Sequence, residues 1–296
     1  MLVEGLPLIG MRTRIAPTPS GFLHEGNGIN FSATWQLAQA HNGHVLLRID
    51  DLDEERTRPE YVDDIFRTLE WLGIEWHEGP ATPDDFHRNW SQRSRGTDHT
   101  PLLEGLRSLG LVYACDCSRN TIAAIAPDGR YPGTCRSLGK SLDDEGNAWR
   151  LNVGRVEQVD FHEMGIGHRS VDLGTAMGDP VVLRRSTPSG GRGAAYQIAS
   201  LADDLHFGIN TIVRGEDLLA STACQSHIAD LLGLDQFRKV AFLHHQLTTG
   251  TDGQKLSKSA GATSLKSWSE SGRSAEAIHA AARTLLRARG LLPDAG

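Results

Sequence analysis

The pattern of apolar and polar positions predicts alternating strands and helices over the first quarter of the chain. A strand-like stretch covers residues 12–16, and a helix is predicted over 29–41. Residues 44–49 form a short, nearly continuous apolar run, which is typical of a buried parallel strand. Apolar residues then recur on one face of a second helix, predicted over 60–72. This order of strand, helix, strand and helix is typical of an open α/β sheet.

The pattern changes in the middle of the chain and returns afterwards. Over about 113–192, Gly, Pro and turn-forming residues are frequent and no long helix is predicted. Regular α/β patterning resumes at 195–202, with a strand over 211–214 and a helix near 221–232. The tail carries a further apolar stripe at helical spacing, which ends at Gly290. We therefore interpret the irregular segment as an insertion between two halves of one sheet.

These elements predict an α/β fold of the doubly wound, parallel Rossmann-like type, with an insertion and a short C-terminal helical tail. The predicted boundaries are 1–10 for an N-terminal extension, 11–108 and 193–245 for the two halves of the sheet domain, 109–192 for the insertion, and 246–296 for a loop and the helical tail. In such folds ligands bind beyond the carboxyl ends of the strands, and we expect the active site there.

Composition narrows the classes of function. The 296 residues include 30 Lys and Arg against 37 Asp and Glu, a formal net charge of −7. This balance excludes a uniformly basic nucleic-acid-binding protein but not a local basic face. No apolar run approaches the roughly 18 residues that a membrane span needs, and the N-terminus lacks the features of a signal peptide. We therefore expect a cytoplasmic protein that makes no membrane contact. We also expect a monomer, although nothing in the sequence determines the oligomeric state.

A glycine-containing loop lies between the first predicted strand and the first helix and reads Ala16-Pro-Thr-Pro-Ser-Gly-Phe-Leu-His-Glu-Gly-Asn27. A loop that enters a helix offers free backbone N–H groups and the positive end of the helix dipole, and phosphate binds there readily. Gly21 and Gly26 would allow a ligand to approach closely, and His24 can donate to a phosphoryl oxygen. Taken alone, the segment fits a tight turn between strand and helix equally well.

A second segment, Asp252-Gly-Gln-Lys-Leu-Ser-Lys-Ser259, combines a glycine with two lysines three positions apart. Lys255 and Lys258 could bind a polyphosphate and stabilise the charge that develops on the transferring phosphorus and on the leaving pyrophosphate. Taken alone, this segment fits a solvated surface loop.

Together the two segments resemble the signature motifs of class I aminoacyl-tRNA synthetases, and further matches narrow the resemblance to the glutamyl-tRNA synthetase family. These matches are Arg14-Ile-Ala-Pro-Thr-Pro-Ser-Gly21, Leu47-Arg-Ile-Asp-Asp-Leu-Asp53, Arg58-Pro-Glu-Tyr61, Leu69-Glu-Trp-Leu-Gly73, Val213-Arg-Gly-Glu-Asp-Leu218 and Asp252-Gly-Gln-Lys-Leu-Ser-Lys258. The resemblance runs from about residue 11 to residue 264. It implies an enzyme that activates L-glutamate with ATP and Mg²⁺ to glutamyl adenylate and then transfers the glutamyl group to a hydroxyl.

The family resemblance implies a role for individual residues of this chain. His24, Lys255 and Lys258 would stabilise charge during catalysis, and ATP would contact His24, Gly26, Asn27, Lys255, Ser257 and Lys258. Glutamate would be bound by Arg14, Ala16, Thr18, Asp50, Tyr196 and Arg214. Of these, Arg14 and Arg214 would bind a carboxylate and Asp50 would face the ammonium group. From the residues alone, both arginines could instead pair with Asp50, Asp51 or Glu216.

The short C-terminal segment narrows the resemblance further. Only 37 residues follow Ser259, too few for the large anticodon-binding region that full-length glutamyl-tRNA synthetases carry there. This layout resembles the truncated branch of the family that attaches glutamate to the modified base queuosine of tRNA(Asp). The resemblance therefore implies tRNA(Asp) carrying queuosine as the partner.

Three positions depart from the family pattern and keep two alternatives open. Asp50 stands where the family usually has Glu, Glu25 occupies a position that is generally apolar, and Asn27 replaces a second His. One alternative is a short glutamyl-tRNA synthetase, or an amino-acid ligase with another acceptor. The other is an inactive paralogue that only binds tRNA or a nucleotide.

Three of the four cysteines fall within the predicted insertion, at Cys115, Cys117 and Cys135. In a cytosolic protein such a cluster favours metal binding over disulfides, because thiolates are good zinc ligands. The resemblance to the queuosine branch implies a structural Zn²⁺ site formed by these cysteines and Tyr131. Asp116, Asp128 or water could be the fourth ligand instead, and three reduced, buried cysteines are the alternative without metal.

Overall fold

The computed structural model of the chain describes residues 10–94, 97–154, 158–186, 192–246 and 264–293. Its strands are β1 (Arg12–Ile15), β2 (His44–Leu47), β3 (Val112–Cys115), β4 (Ala148–Leu151), β5 (Val159–Glu163), β6 (Gly167–Val171), β7 (Val181–Leu183), β8 (Thr211–Gly215) and β9 (Ala241–His245). Its helices are α1 (Glu25–Ala40), α2 (Pro59–Trp71), α3 (Pro83–Asp85), α4 (Thr100–Ser108), α5 (Arg119–Ile125), α6 (Leu173–Met177), α7 (Tyr196–His206), α8 (Leu219–Leu231), α9 (Asp235–Arg238), α10 (Leu265–Glu270) and α11 (Glu276–Ala288), with a π-helical turn at Phe86–Trp90 and a 3₁₀ turn at Glu216–Leu218. Within these ranges, no helix combines the length and the apolar character that crossing a lipid bilayer requires.

Two pairs of parallel strands form the centre of the fold. β1 pairs with β2 and β8 pairs with β9, both in parallel. β1 also lies beside β8, where the backbone N–H of Asn210 donates to the carbonyl oxygen of Arg12 at 3.0 Å. The strands predicted over 12–16, 44–49 and 211–214 are therefore confirmed. Their short apolar runs are explained by burial on both faces, which parallel strands usually have.

The sheet that contains β8 and β9 is mixed rather than wholly parallel. β5 pairs with β9 in parallel and β6 pairs with β5 antiparallel, which gives the order β6-β5-β9-β8. Both strands come from the segment that the sequence pattern assigned to the insertion. Val159 and Phe161 are buried while Asp160 between them is exposed, an alternation typical of a strand with one solvated face. The expectation of a purely parallel sheet is wrong in this respect, because a hairpin extends it.

The rest of the segment assigned to the insertion forms a separate antiparallel sheet in the order β3-β4-β7. In the described part of this segment, the helices α5 and α6 have only seven and five residues. For the described part of residues 109–192, the prediction that the segment holds no long helix is confirmed. The cysteine cluster lies in this region, with Cys115 at the end of β3.

Helix α1 begins at Glu25 rather than at residue 29, where the apolar periodicity begins. The backbone N–H of His24 donates to Oδ1 of Asn27 at 3.0 Å, and the carbonyl oxygen of His24 accepts from the backbone N–H of Asn27 at 2.9 Å. This polar first turn carries no apolar stripe, so hydrophobic periodicity could not reveal it. Its consequence is that His24 occupies the N-cap position, directly before the helix.

The tail helix α11 packs along α1. Ile278 and Leu286 are buried, as their helical spacing predicted. The ring of His279 joins three helical segments, since its Nδ1 lies 2.7 Å from Oγ of Ser32 and its Nε2 donates to the carbonyl oxygen of Leu72 at 2.9 Å. The tail therefore fixes the position of the helix whose N-terminus carries His24.

The close approach of Gly79 to β2 generates a stability prediction. Gly79 has φ of +115°, and a Cβ atom there would lie 2.3 Å from the carbonyl oxygen of Leu47. Gly73 has φ of +60° with open space around its Cα, and it serves as the control. We expect Gly79→Ala to lower the free energy of unfolding by about 3 kcal/mol and Gly73→Ala by about 1 kcal/mol. Urea unfolding followed by circular dichroism measures both, and equal losses would contradict the assigned clash.

Candidate active site

A cavity of about 320 Å³ opens where β1, β2, β8 and β9 end, beside the N-terminus of α1. This is the edge at which ligands bind in open α/β sheets. Every predicted ATP- or glutamate-binding residue that the structure describes lines the cavity, namely Arg14, Ala16, Thr18, His24, Gly26, Asn27, Asp50, Tyr196 and Arg214. The other three predicted residues, Lys255, Ser257 and Lys258, lie outside the described residues. The fold therefore brings together side chains that are up to 200 positions apart in the sequence.

One side of the cavity is formed by the first turn of α1. His24, Gly26 and Asn27 line it there. The helix has 16 residues, and the partial positive charge of its dipole is concentrated at this end. The side chains and the dipole together favour a phosphate group at this position.

The lining also includes Arg48 and Asp50, which belong to a buried network of charged groups around Arg48 that the sequence did not reveal. Nε and Nη2 of Arg48 donate to the two carboxylate oxygens of Asp50 at 2.8 and 2.9 Å, and Nη1 donates to Oδ1 of Asp204 at 2.7 Å. Asp203 approaches Nε of Arg48 to 4.0 Å. Burial opposes the charge on Arg48, but the three carboxylates outweigh it and raise its pKa well above the ordinary value.

The network also fixes the partner of Arg14. Nε of Arg14 donates to Oδ1 of Asp204 at 3.1 Å, a partner other than Asp50 and Asp51, which the sequence suggested. Asp51 instead accepts hydrogen bonds from Oγ of Ser91 and from the backbone N–H of Gln92. Asp204 therefore joins the two arginines from β1 and from the end of β2 into one unit.

Arg214 has a different environment from the other two arginines. It is only 3% exposed, and its Nη1 donates to Oε1 of Gln225 at 3.1 Å. Its Nε and Nη2 are buried and have no hydrogen-bond partner among the described residues. Burial lowers the pKa of Arg214, and the neighbouring Tyr196 acts in the opposite direction. Glu216, the other partner that the sequence allowed, pairs with Arg169 instead.

Such an arrangement suits a carboxylate ligand. A guanidinium group presents its N–H donors in a planar fork that matches the two oxygens of a carboxylate. Burying donors without a partner is costly, since each loses its hydrogen bonds to water. A carboxylate in the cavity would place acceptor oxygens beside this guanidinium group.

The sequence contained weak signals for the residues that were missed. Arg48 lies in an otherwise apolar run, where a charged residue needs a buried partner. Asp203 and Asp204 follow the apolar stretch of α7 and are both fully buried. Neither signal identifies the partner, because the two segments are 156 positions apart.

The cysteine cluster forms a second candidate site, away from the cavity. The sulfur atoms of Cys115, Cys117 and Cys135 all lie within 4.8 Å of one another. The hydroxyl oxygen of Tyr131 is 3.4 Å from Sγ of Cys115 and 3.3 Å from Sγ of Cys117, and the two sulfurs of Cys117 and Cys135 are 3.5 Å apart. Ligand atoms around a tetrahedral zinc ion are roughly 3.5–3.8 Å apart, so these four groups fit such an ion.

The electrostatics of the cluster favour one thiolate. Burial opposes ionisation of Cys115, but hydrogen bonds from Tyr131, Arg150 and the backbone of Cys117 lower its pKa to about 7. Of the alternative fourth ligands, Asp116 lies 3.8 Å from Sγ of Cys135 and pairs with Lys140.

Asp128, the other carboxylate that could replace Tyr131, pairs with Arg130 at 2.8 Å. Both side chains of this ion pair are exposed. Asp128 does not belong to the group of candidate metal ligands found among the described residues. The geometry therefore favours Tyr131 over either aspartate as the fourth group of the cluster.

Comparison with known proteins agrees with this geometry. Residues 10–293 match the family described as tRNA synthetases class I (E and Q), catalytic domain. The chain is 39% identical over 283 residues to the glutamyl-Q tRNA(Asp) synthetase of Verminephrobacter eiseniae, covering 92% of this chain and 88% of that one. It is 34% identical over 259 residues to the protein of the same name from Nitratidesulfovibrio vulgaris, covering 84% of this chain and 78% of that one.

A solved structure supports the fold. The glutamate-tRNA synthetase of Elizabethkingia anophelis superposes with a TM-score of 0.68 at 21% identity, covering 89% of this chain and 54% of that longer chain. The predicted resemblance is thus confirmed at the level of the family. The chain belongs to the class I tRNA synthetases of the E and Q type and, within them, to the glutamyl-Q tRNA(Asp) synthetase branch, and it is a ligase of that family.

Proposed function

We propose that this ligase activates L-glutamate with ATP and Mg²⁺ to glutamyl adenylate and transfers the glutamyl group to queuosine in tRNA(Asp). One observation carries the proposal: the buried, partly unsatisfied guanidinium of Arg214 shares a cavity with the N-terminus of α1. A carboxylate-binding group and a phosphate-binding group are thus close enough to hold two reactants together. The names of the relatives supply the identity of the acceptor.

Glutamate would be held at two of its three charged groups. Arg214 and Tyr196, with Arg14 behind them, would bind the side-chain carboxylate, and Ala16 and Thr18 would form the adjacent wall. Asp50 would bind the ammonium group, since a carboxylate can accept further hydrogen bonds beyond the two from Arg48. The α-carboxylate then stays available for attack.

In the first step an oxygen of the α-carboxylate attacks the α-phosphorus of ATP, and pyrophosphate leaves. His24, Gly26, Asn27 and the dipole of α1 would stabilise the phosphate charge, together with Mg²⁺ on the phosphates. Lys255, Ser257 and Lys258 are proposed to act on the same phosphates. In the second step a hydroxyl of the queuosine cyclopentene ring attacks the mixed anhydride, and AMP leaves. Catalysis rests on positioning and electrostatics, with no protein nucleophile.

A Zn²⁺ ion on Cys115, Cys117, Tyr131 and Cys135 would be structural. Four protein ligands leave no open position for substrate. The ligands come from the end of β3, from the short connection between β3 and α5, and from the loop that follows α5. The ion would therefore cross-link a segment with little regular secondary structure.

The decisive test uses two assays on the same preparation. Glutamate-dependent exchange of pyrophosphate into ATP reports the first step, and incorporation of labelled glutamate into tRNA(Asp), with and without queuosine, reports the acceptor. We expect exchange, and incorporation only into tRNA that carries queuosine. Equal incorporation into both tRNAs would identify the tRNA 3′ end as the acceptor, and absence of exchange would identify an inactive paralogue.

The role of Arg214 is tested by Arg214→Met, which keeps the volume but removes the donors. We expect the KM for glutamate in the exchange assay to rise roughly 10- to 100-fold, because a charge-assisted pair is lost, with little change in the KM for ATP. Arg169→Ala is the control, since it removes a guanidinium from a nearby ion pair outside the cavity. An unchanged KM for glutamate in Arg214→Met would exclude Arg214 from glutamate binding.

The metal site is tested by Cys117→Ser, with Cys224→Ser as the matched control. Cys224 is buried on α8, outside the cluster, and burial raises the pKa of its thiol to about 12. We expect Cys117→Ser to reduce the zinc content of the purified protein, measured by mass spectrometry after dialysis against a weak chelator. Cys224→Ser should retain the zinc of the parent protein. Equal zinc contents in the two variants would contradict the assignment of Cys117.

A further inference from the structure

Two residues of the cavity, Asn30 and His245, have no part in the proposed binding of glutamate or phosphate. Asn30 lies on α1, and His245 is the last residue of β9. Nδ2 of Asn30 is 2.9 Å from Nε2 of His245, and both side chains line the same cavity as His24 and Arg214. The pair therefore joins the helix and the strand that bound the cavity on this side.

The hydrogen bonds of His245 determine which way the amide of Asn30 points. Nδ1 of His245 is 3.0 Å from the carbonyl oxygen of Gln246, and a carbonyl oxygen can only accept, so Nδ1 carries the proton. Burial lowers the pKa of His245, although Asp217 and Glu216 oppose it, and the ring is neutral at pH 7. Its Nε2 is therefore an acceptor, and Asn30 must donate to it through Nδ2.

This orientation leaves two groups of the amide for a ligand. Oδ1 of Asn30 remains an acceptor, and the second N–H of Nδ2 remains a donor. Asn30 is only half-buried, so this edge is accessible from the cavity. When the N–H that points away from Oδ1 is the one bonded to His245, the remaining acceptor and donor of the amide lie side by side, in an order that His245 fixes.

Adenine has the complementary edge. Its N6 amino group is a donor beside a ring nitrogen that accepts, and asparagine pairs with this edge through two hydrogen bonds. Guanine presents the O6 acceptor at the same place, which would face Oδ1 of Asn30 and repel it. A fixed amide therefore discriminates between the two purines.

The position of Asn30 suits the base of a nucleotide whose phosphates lie at His24. Asn30 follows His24 by six positions, about 9 Å along a helix axis, which leaves room for a ribose between base and phosphates. We propose that Asn30, oriented by His245, binds the adenine base of ATP and selects ATP over GTP. Asn30 is then a specificity-determining residue and His245 a positioning residue. This inference rests on the proposed function, in which ATP is the substrate.

The test compares ATP with GTP in glutamate-dependent pyrophosphate exchange. Asn30→Ala should lower kcat/KM for ATP by roughly 10- to 100-fold, because the KM for ATP rises. The kcat/KM for GTP should change little. His245→Phe keeps a ring but removes the acceptor. It should lower the ratio of kcat/KM for ATP to kcat/KM for GTP by a smaller factor than Asn30→Ala does. The KM for glutamate should stay the same in both variants.

Thr34→Val is the matched control. Oγ1 of Thr34 donates to the backbone carbonyl oxygen of Asn30 at 2.8 Å, and Thr34 does not line the cavity. This variant disturbs the same turn of α1 without touching the amide, and its preference for ATP should equal that of the parent protein. Melting temperatures of all three variants identify any loss of fold.

The outcomes separate this inference from the proposed function. Suppose that the parent protein catalyses exchange but that Asn30→Ala leaves the ratio of kcat/KM for ATP to kcat/KM for GTP unchanged, whether or not both values fall. The inference is then wrong and the proposed function stands. If the parent protein shows no exchange, the proposed function fails. Calorimetric titration with ATP and with GTP then tests the inference alone, and equal affinities in the parent protein would overturn it.

Discussion

The buried ion-pair network around Arg48 is the constraint on which the rest of the site depends. Arg48, Asp50, Asp203 and Asp204 are almost completely removed from water. A buried charge is tolerated only when it is paired and hydrogen-bonded, and loss of one partner typically costs about 3–5 kcal/mol. Because Arg48 follows β2 while Asp203 and Asp204 lie on α7, these charges are balanced only when both halves of the fold are assembled. The geometry of the cavity is therefore tied to the completeness of the fold.

Helix α1 is the second element that determines the site. Its N-terminus carries His24 and Asn27, and its next turn carries Asn30. The tail helix α11 packs along it, and Gly28 allows the contact, since a Cβ atom there would lie 3.2 Å from Ile278 of α11 and 2.9 Å from Leu265 of α10. The C-terminal helices thus support α1, whose first turn lines the part of the cavity that is proposed to bind the nucleotide.

Local patterns in the sequence predicted the parts of the structure that depend on local interactions. The central strands, helix α2 and the apolar stripe of α11 agree with the periodicity that predicted them. The first turn of α1 was missed because a polar contact between His24 and Asn27 forms it. The β5–β6 hairpin was assigned to the insertion because its short strands are surrounded by turn-forming residues.

The candidate site also contains some residues that the sequence predicted and others that depend on distant contacts. The family motifs led to nine residues that line one cavity, and the three cysteines are close together in the sequence as well as in space. The pairing of Arg48 with Asp204 and that of Asn30 with His245 could not be predicted, because each joins segments at least 150 positions apart. Composition and spacing carry no information about which distant carboxylate or ring will meet a given side chain.

The spacing of these contacts along the chain has a consequence for biosynthesis. The cysteine cluster closes a loop with Cys117 and Cys135 only 18 positions apart, whereas the ion pair between Arg48 and Asp204 spans 156 positions. Short loops close at little entropic cost, and domains form progressively as a nascent polypeptide leaves the ribosome. The proposed zinc ligands, from Cys115 to Cys135, are therefore all synthesised before α7, and only a short loop has to close to bring them together. Arg48 meets Asp204 only after α7 has been synthesised, so the active-site cavity can be completed only late in synthesis.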